Sequence, residues 1–185
     1  YYLRTSMMKH FNKNLIVVLL AFASLSLYPT HILAQIDSTR VLTKALKEGL
    51  RMVHSIEKQD YQTYINLTHP AAINMAGGAE NLETMLQKGF GPNKRMVSID
   101  LKLPPTLWIK DGLYQCAIPQ KQVMEVNGQQ FSIRGTLVGL SDDKGRSWCF
   151  MAATQSSTRI LQEHIPELHD SLEVKPQTRT MLSKE

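Results

Sequence analysis

The sequence predicts an α+β domain: N-terminal helices packed on a curved antiparallel sheet of four to six strands, with a broken C-terminal helix. Three observations carry this. Apolar residues recur at helical spacing as far as Gly89, and beyond Met96 they alternate with polar ones at period two. Asp111-Gly112 and Asn127-Gly128 then mark tight hairpin turns between the alternating runs.

The elements follow in order. Lys9 and Lys13, the apolar run LIVVLLAFASLSL and the small Ala34 have the pattern of a secretory leader over residues 1–34, with Met7 or Met8 as the expected start. That run is too short for a membrane span of about 20 residues, so no anchor is expected after cleavage. Asp37-Ser38-Thr39 offers caps for a first helix, in which Leu42, Ala45, Leu46, Gly49, Val53 and Ile56 share a face. Asp60 caps a second helix that ends at His69-Pro70. Residues 71–74 read as a short strand and Gly77-Gly78 as a turn. Residues 79–89 form a third helix with Leu82, Met85 and Leu86 inward.

Residues 96–103 make a strand interrupted by Pro104-Pro105, and two hairpins follow. A turn at Asn127-Gly128 sets Met124 opposite Phe131 and Ile118 opposite Leu137. The loop after Leu140 is expected to bring Leu137 opposite Phe150 and Gly139 opposite Trp148. The shared apolar face then holds Ile118, Met124, Phe131, Ile133, Leu137, Trp148 and Phe150. The last helix breaks at Pro166. The domain spans residues 35–172, and residues 173–185 are expected to be a C-terminal tail.

Composition narrows the function. The chain has 21 Lys and Arg against 16 Asp and Glu, a net charge of +5. Arg4, Lys9 and Lys13 leave with the leader, so 18 basic residues face 16 acidic ones and no cluster argues for nucleic acid. The two cysteines, Cys116 and Cys149, fall on opposite edges of the central strand, about 10 Å apart, too far for a disulfide. Two free, mostly buried thiols are expected.

Ser141 to Trp148, SDDKGRSW, fits the Asp-box of sialidase-type propellers. A propeller needs several similar blades, and this chain has one box and no repeat. Asp143, Gly145 and Trp148 therefore read as a structural hairpin: an acceptor for loop amides, a positive-φ position and a packing anchor. Gly77-Gly78 lacks the following Lys-Ser/Thr of a phosphate cradle. Histidines 54, 69, 164 and 169 have no metal-ligand spacing, and no catalytic residue, metal or cofactor is assigned.

His69-Pro70, Gly77-Gly78 with Glu80, the segment from Ser141 to Phe150, and Pro166, Leu168, Leu172 and Pro176 together resemble a family of small, secreted, uncharacterised bacterial proteins. The order of elements also resembles the nuclear transport factor 2-like (cystatin-like) cone, whose sheet wraps helices around a pocket. That resemblance implies either a non-catalytic binder or an isomerase or cyclase acting on a hydrophobic small molecule. The apolar sheet face nominates a pocket of Tyr64, Trp108, Tyr114, Cys116, Met124 and Phe131. The leading expectation is a secreted or periplasmic, non-enzymatic domain that binds a hydrophobic small molecule or supports a partner. An interaction module, with a homodimer among its forms, is the remaining alternative.

Overall fold

Nothing between Thr30 and Glu57 breaks a helix, and these residues form one continuous α1. Asp37, Ser38 and Thr39 lie inside it instead of capping it, because short polar side chains are tolerated within a helix when no proline or glycine ends the run. The computed structural model describes residues 30–91, 93–153 and 158–183. The expected leader lies outside the described residues as far as residue 29. The chain divides into residues 1–39 and residues 40–185, and the sheet, both apolar clusters and the cavities described below belong to the second unit.

Three short helices follow: α2 (Tyr61–Leu67), α3 (Pro70–Met75) and α4 (Ala79–Gly89). The Asp60 carboxylate accepts the Thr63 N–H at 3.0 Å and caps α2. Residues 71–74 are helical, not the expected strand. His69 Nδ1 accepts the Ala71 N–H at 3.2 Å, and Pro70 in the first turn starts a helix that its two alanines favour. In α4, Leu82 and Leu86 are half-buried, but Met85 is exposed. The packed stripe of α4 centres on Leu82, Glu83 and Leu86, and Met85 falls on its rim.

The sheet contains β1 (Lys94–Leu101), β2 (Trp108–Lys110), β3 (Leu113–Val126), β4 (Gln129–Ser141), β5 (Cys149–Ala153) and β6 (Thr178–Met181), all pairs antiparallel. Its order is β1-β3-β4-β5, with β2 also on β3 and β6 also on β4. Asn127 and Gly128 adopt φ of 52° and 78°, the left-handed pair a two-residue hairpin requires. That turn fixes β3 against β4 in one register from Tyr114↔Ser141 to Val126↔Gln129, including the expected Met124↔Phe131 and Ile118↔Leu137.

The pairing of β4 with β5 differs from expectation. Leu137 faces Ala152 and Gly139 faces Phe150, two residues from the pairing read off the sequence. The Asp-box loop holds more of the chain than a tight turn would, and β5 begins only at Cys149. A shift of two preserves every side chain's face, where a shift of one would have inverted them all. Phe150 therefore still joins Ile118 and Leu137.

Both faces of β4 are covered, so Thr136 to Ser141 are all buried. On the inner face, Leu101, Cys116, Ile118, Leu137, Trp148 and Phe150 pack against Leu42, Ala45, Met52 and Val53 of α1. On the outer face, Val138, Leu140, Met151 and Ala153 pack against Leu161, Ile165, Leu168, Leu172 and Val174. The C-terminal helix α5 (Thr158–His164) stops before Pro166, where the sequence predicts a break, but the expected helical segment beyond the proline is turns and irregular backbone instead.

The expected tail is partly built into the fold. Val174 is buried in the outer cluster, and Thr178–Met181 pairs with β4 from Phe131↔Met181 to Arg134↔Thr178. Strand β5 pairs only with residues 136–140 of the long β4, and β6 takes up the neighbouring stretch of that edge. The Gln129 side chain donates to the Leu182 carbonyl at 2.9 Å, and the Arg179 guanidinium lies 3.7 Å over the Phe131 ring.

Candidate functional site

The residues nominated from the sequence separate into different places. Tyr64 and Tyr114 flank the inner cluster, and Cys116 sits within it, fully buried. Burial pushes the Tyr64 phenol up to about 12 and the Cys116 thiol up to about 12, so both stay neutral and neither is primed as a base or nucleophile. Met124 is buried and Phe131 half-buried near the Asn-Gly turn, the latter under Arg179. Trp108 lies on the opposite face, stacked on His169 with ring centroids 4.5 Å apart. Both cysteines are free, Cys116 in the inner cluster and Cys149 against the outer one.

The inner face is tightly filled where α1 crosses it. A Cβ added at Gly49 would stand 3.4 Å from Ile118, Leu101 and Leu137 methyl groups. One added at Gly139 would stand 3.1 Å from both Cys116 Sγ and Phe150 Cε1. Those contacts leave no space beside Cys116 for a ligand.

The Asp-box loop is a closed hydrogen-bonded knot. Asp143 Oδ1 accepts the Arg146 and Ser147 N–H groups, each at 2.8 Å, and the Ser141 hydroxyl at 2.8 Å. Its other oxygen accepts the Ser147 hydroxyl at 2.6 Å. The Ser147 bonds, first of all, hold the Asp143 carboxyl well below the usual range. Gly145, at φ of 81°, brings its backbone so close to Val41 that any Cβ would stand 2.7 Å from a valine methyl. Lys44 donates to the Arg146 carbonyl. Ser141, Asp143 and Ser147 are all occupied in shaping the turn, and Trp148 is buried beneath it with its Nε1 unbonded among the described residues.

Open space lies on the outer face, where the second apolar cluster stops. Alternation along β4 puts Gln130, Ser132, Arg134 and Thr136 on this side. The fixed registers then assemble two rows across four strands. One runs Asp100, Lys121, Arg134, Thr178, and the next runs Ser98, Val123, Ser132, Thr180. Three adjoining cavities follow these rows. One of about 260 Å³ is lined by Trp108, Pro119, Thr136 and Lys175, among others. It shares Pro119, Gly135 and Lys175 with one of about 630 Å³. The latter shares Lys121, Arg134 and Thr178 with a third of about 330 Å³. Together they form one groove between the β3–β4 face and residues 173–182.

The groove is basic. Lys102, Lys121, Arg134 and Lys175 line its largest part against a single carboxylate, Asp100. The sequence reading missed these residues, although the alternation of QQFSIRG and the register set by Asn127-Gly128 already place Arg134 and Lys121 side by side. The contribution of β6 had no such signal. Among the described residues, no three His, Cys, Asp or Glu side chains gather to hold a metal ion, and no helix is long and apolar enough to cross a membrane. Burial lowers the pKa of His69 against the opposing pull of Glu167, and its Nδ1 is spent on the α3 cap. In comparisons with known proteins, the chain matches no family model, no curated protein and no solved structure.

Proposed function

We propose that this protein is a non-enzymatic binding domain whose ligand occupies the outer-face groove, and that it works outside the cytoplasm. One observation carries the reading: the three cavities share lining residues and run as one groove, whereas Tyr64, Tyr114 and Cys116 lie in or against a filled inner cluster. Ligand sites are concave and largely preformed, with volumes of about 300–1,000 Å³, and the groove meets that description. The leader-like pattern of residues 7–34 supports export. Helices followed by an antiparallel sheet support the kinship with the cone fold proposed from the sequence, with the outer layer of residues 158–181 as its departure from the simplest form. An isomerase or cyclase would need a free carboxylate or histidine in a dry pocket, and the described residues of the inner cluster and those packed against it include none.

Native mass spectrometry of protein purified from its own compartment tests this. The expected result is a co-purifying small molecule that is lost when Lys121 and Arg134 are both changed to Glu. A molecule retained by that variant refutes the groove as the site. An N-terminus at Gln35 in the same spectra is the expected sign of export, and an unprocessed chain counts against it.

A further inference from the structure

We infer that the groove binds an oxyanion, a phosphate or sulfate carried on a small molecule, held between Lys121, Arg134 and the Ser132 hydroxyl; this rests on the groove being the ligand site proposed above. Lys121 and Arg134 are direct cross-strand partners on the same face. Like charges placed opposite one another in a sheet repel, yet among the described residues neither side chain is ion-paired or hydrogen-bonded to another group. Asp100 stands on the far side of Lys121 in the same row and forms no ion pair with it. Elsewhere on this face the sheet does pair its charges: Arg95 and Glu125, also cross-strand partners, meet through two hydrogen bonds of 3.2 and 3.1 Å. Both cations are solvent-exposed and, unlike Arg95, have no carboxylate bound, which leaves them available to an anion in the groove.

Ser132 is a second, independent observation. It is 8% exposed, and its Oγ has no hydrogen-bond partner. Buried hydroxyls are almost always bonded, because leaving one unmade forfeits its hydration with nothing in return. Ser132 lines the same 330 Å³ cavity as Lys121 and Arg134, with Thr178 and Thr180 adding hydroxyl groups along the β6 wall. A planar guanidinium fork, an ammonium and several hydroxyls around one concavity match the geometry and charge of a tetrahedral oxyanion. The adjoining space, with Trp108 at its far end, gives room for the molecule that carries it.

The test is an amide chemical-shift titration of the ¹⁵N-labelled full chain with inorganic phosphate, sulfate and glycerol 3-phosphate, ionic strength being held constant with chloride. Saturable shifts confined to residues 121, 132–134 and 178–180 are expected, with glycerol 3-phosphate the tightest. Arg134→Gln and Lys121→Gln should each weaken binding about tenfold or more, and Ser132→Ala by a similar factor, as for loss of a hydrogen bond to a charged group. Lys58→Gln, far from the groove in sequence and outside its lining, should change nothing. The dispersion of each variant's spectrum reports its folding. Linear, unsaturable shifts spread over basic residues everywhere would overturn the proposal. Vesicles of phosphatidylglycerol, compared with phosphatidylcholine, separate the sources: Arg134-dependent sedimentation without a glycerol 3-phosphate response keeps the oxyanion and assigns it to a lipid headgroup. A co-purified molecule that carries no oxyanion but shifts the same amides would refute this inference and leave the groove reading standing.

Discussion

Gly139 sits at the centre of the inner cluster, and replacing it with alanine tests whether that cluster is as full as the contacts imply. The new methyl would meet Cys116 Sγ and Phe150 Cε1 at 3.1 Å and Trp148 Cε3 at 3.3 Å. None of these can retreat easily, since Cys116 and Phe150 are wholly buried and Trp148 is 4% exposed. Forcing a methyl into a packed core costs about 1–3 kcal/mol, and removing a strand glycine returns about 0.5–1 kcal/mol. The balance is a destabilisation of about 1–2 kcal/mol, or a Tm lower by about 2–8 °C for a unit of this size. Urea unfolding followed by tryptophan fluorescence and circular dichroism measures it, with an unchanged slope showing that only stability moved. Phe150→Leu removes one of the three obstructing atoms. The double variant should therefore lose less than its two parents combined, by about 0.5 kcal/mol or more. A Gly139→Ala protein as stable as the parent, or strict additivity with Phe150→Leu, would refute the picture of a filled inner face.

Asp143→Ala should lower Tm at pH 7 by opening the Asp-box knot. Because hydrogen bonds hold the folded carboxyl below its unfolded value of 3.8, that stabilisation is complete above pH 3.8 and is lost as pH falls through the depressed folded value. The gap between variant and parent should close correspondingly in a pH series of melting curves. Burial raises the Cys116 thiol to about 12 and, helped by Asp142, the Cys149 thiol to about 11. Alkylation of the native protein at pH 8 should therefore be slow at both and slowest at Cys116, with two equivalents reacting after denaturation; a disulfide in the intact mass would contradict this. Arg179→Ala removes the cation over Phe131, a contact worth about 0.5–1 kcal/mol when exposed. Amide exchange should accelerate selectively in residues 178–181, while β3–β4 protection stays unchanged.

The parts of the fold legible in the sequence are those set by local chemistry. Asn127-Gly128 determines its own turn conformation, and β3 and β4 inherit their register from it. Asp60 and the apolar spacing of residues 42–56 likewise declare α2 and the buried side of α1. What stayed hidden depends on partners remote in the chain. The pairing of β5 was displaced because the Asp143 knot, anchored against Val41 and Lys44, sets the loop's reach. The helix at residues 70–75 turned on His69 serving as a cap, although Pro70 was a visible sign. The outer layer was missed because Leu168, Leu172 and Val174 lie in irregular backbone, where no period marks a buried residue. With it went the groove, whose walls come from four strands and whose basic pair is visible only once two registers are laid side by side.

All four residues of β6 are solvent-exposed, and among the described residues β4 is its only strand partner. With so little buried apolar surface it belongs among the elements that open most readily. Anything gripped between Arg134 and Thr178 would act as a clasp on that strand, so occupancy and the ordering of residues 178–181 become a single equilibrium. A cut or displacement near residue 177 would then release the cargo while both apolar clusters remained intact.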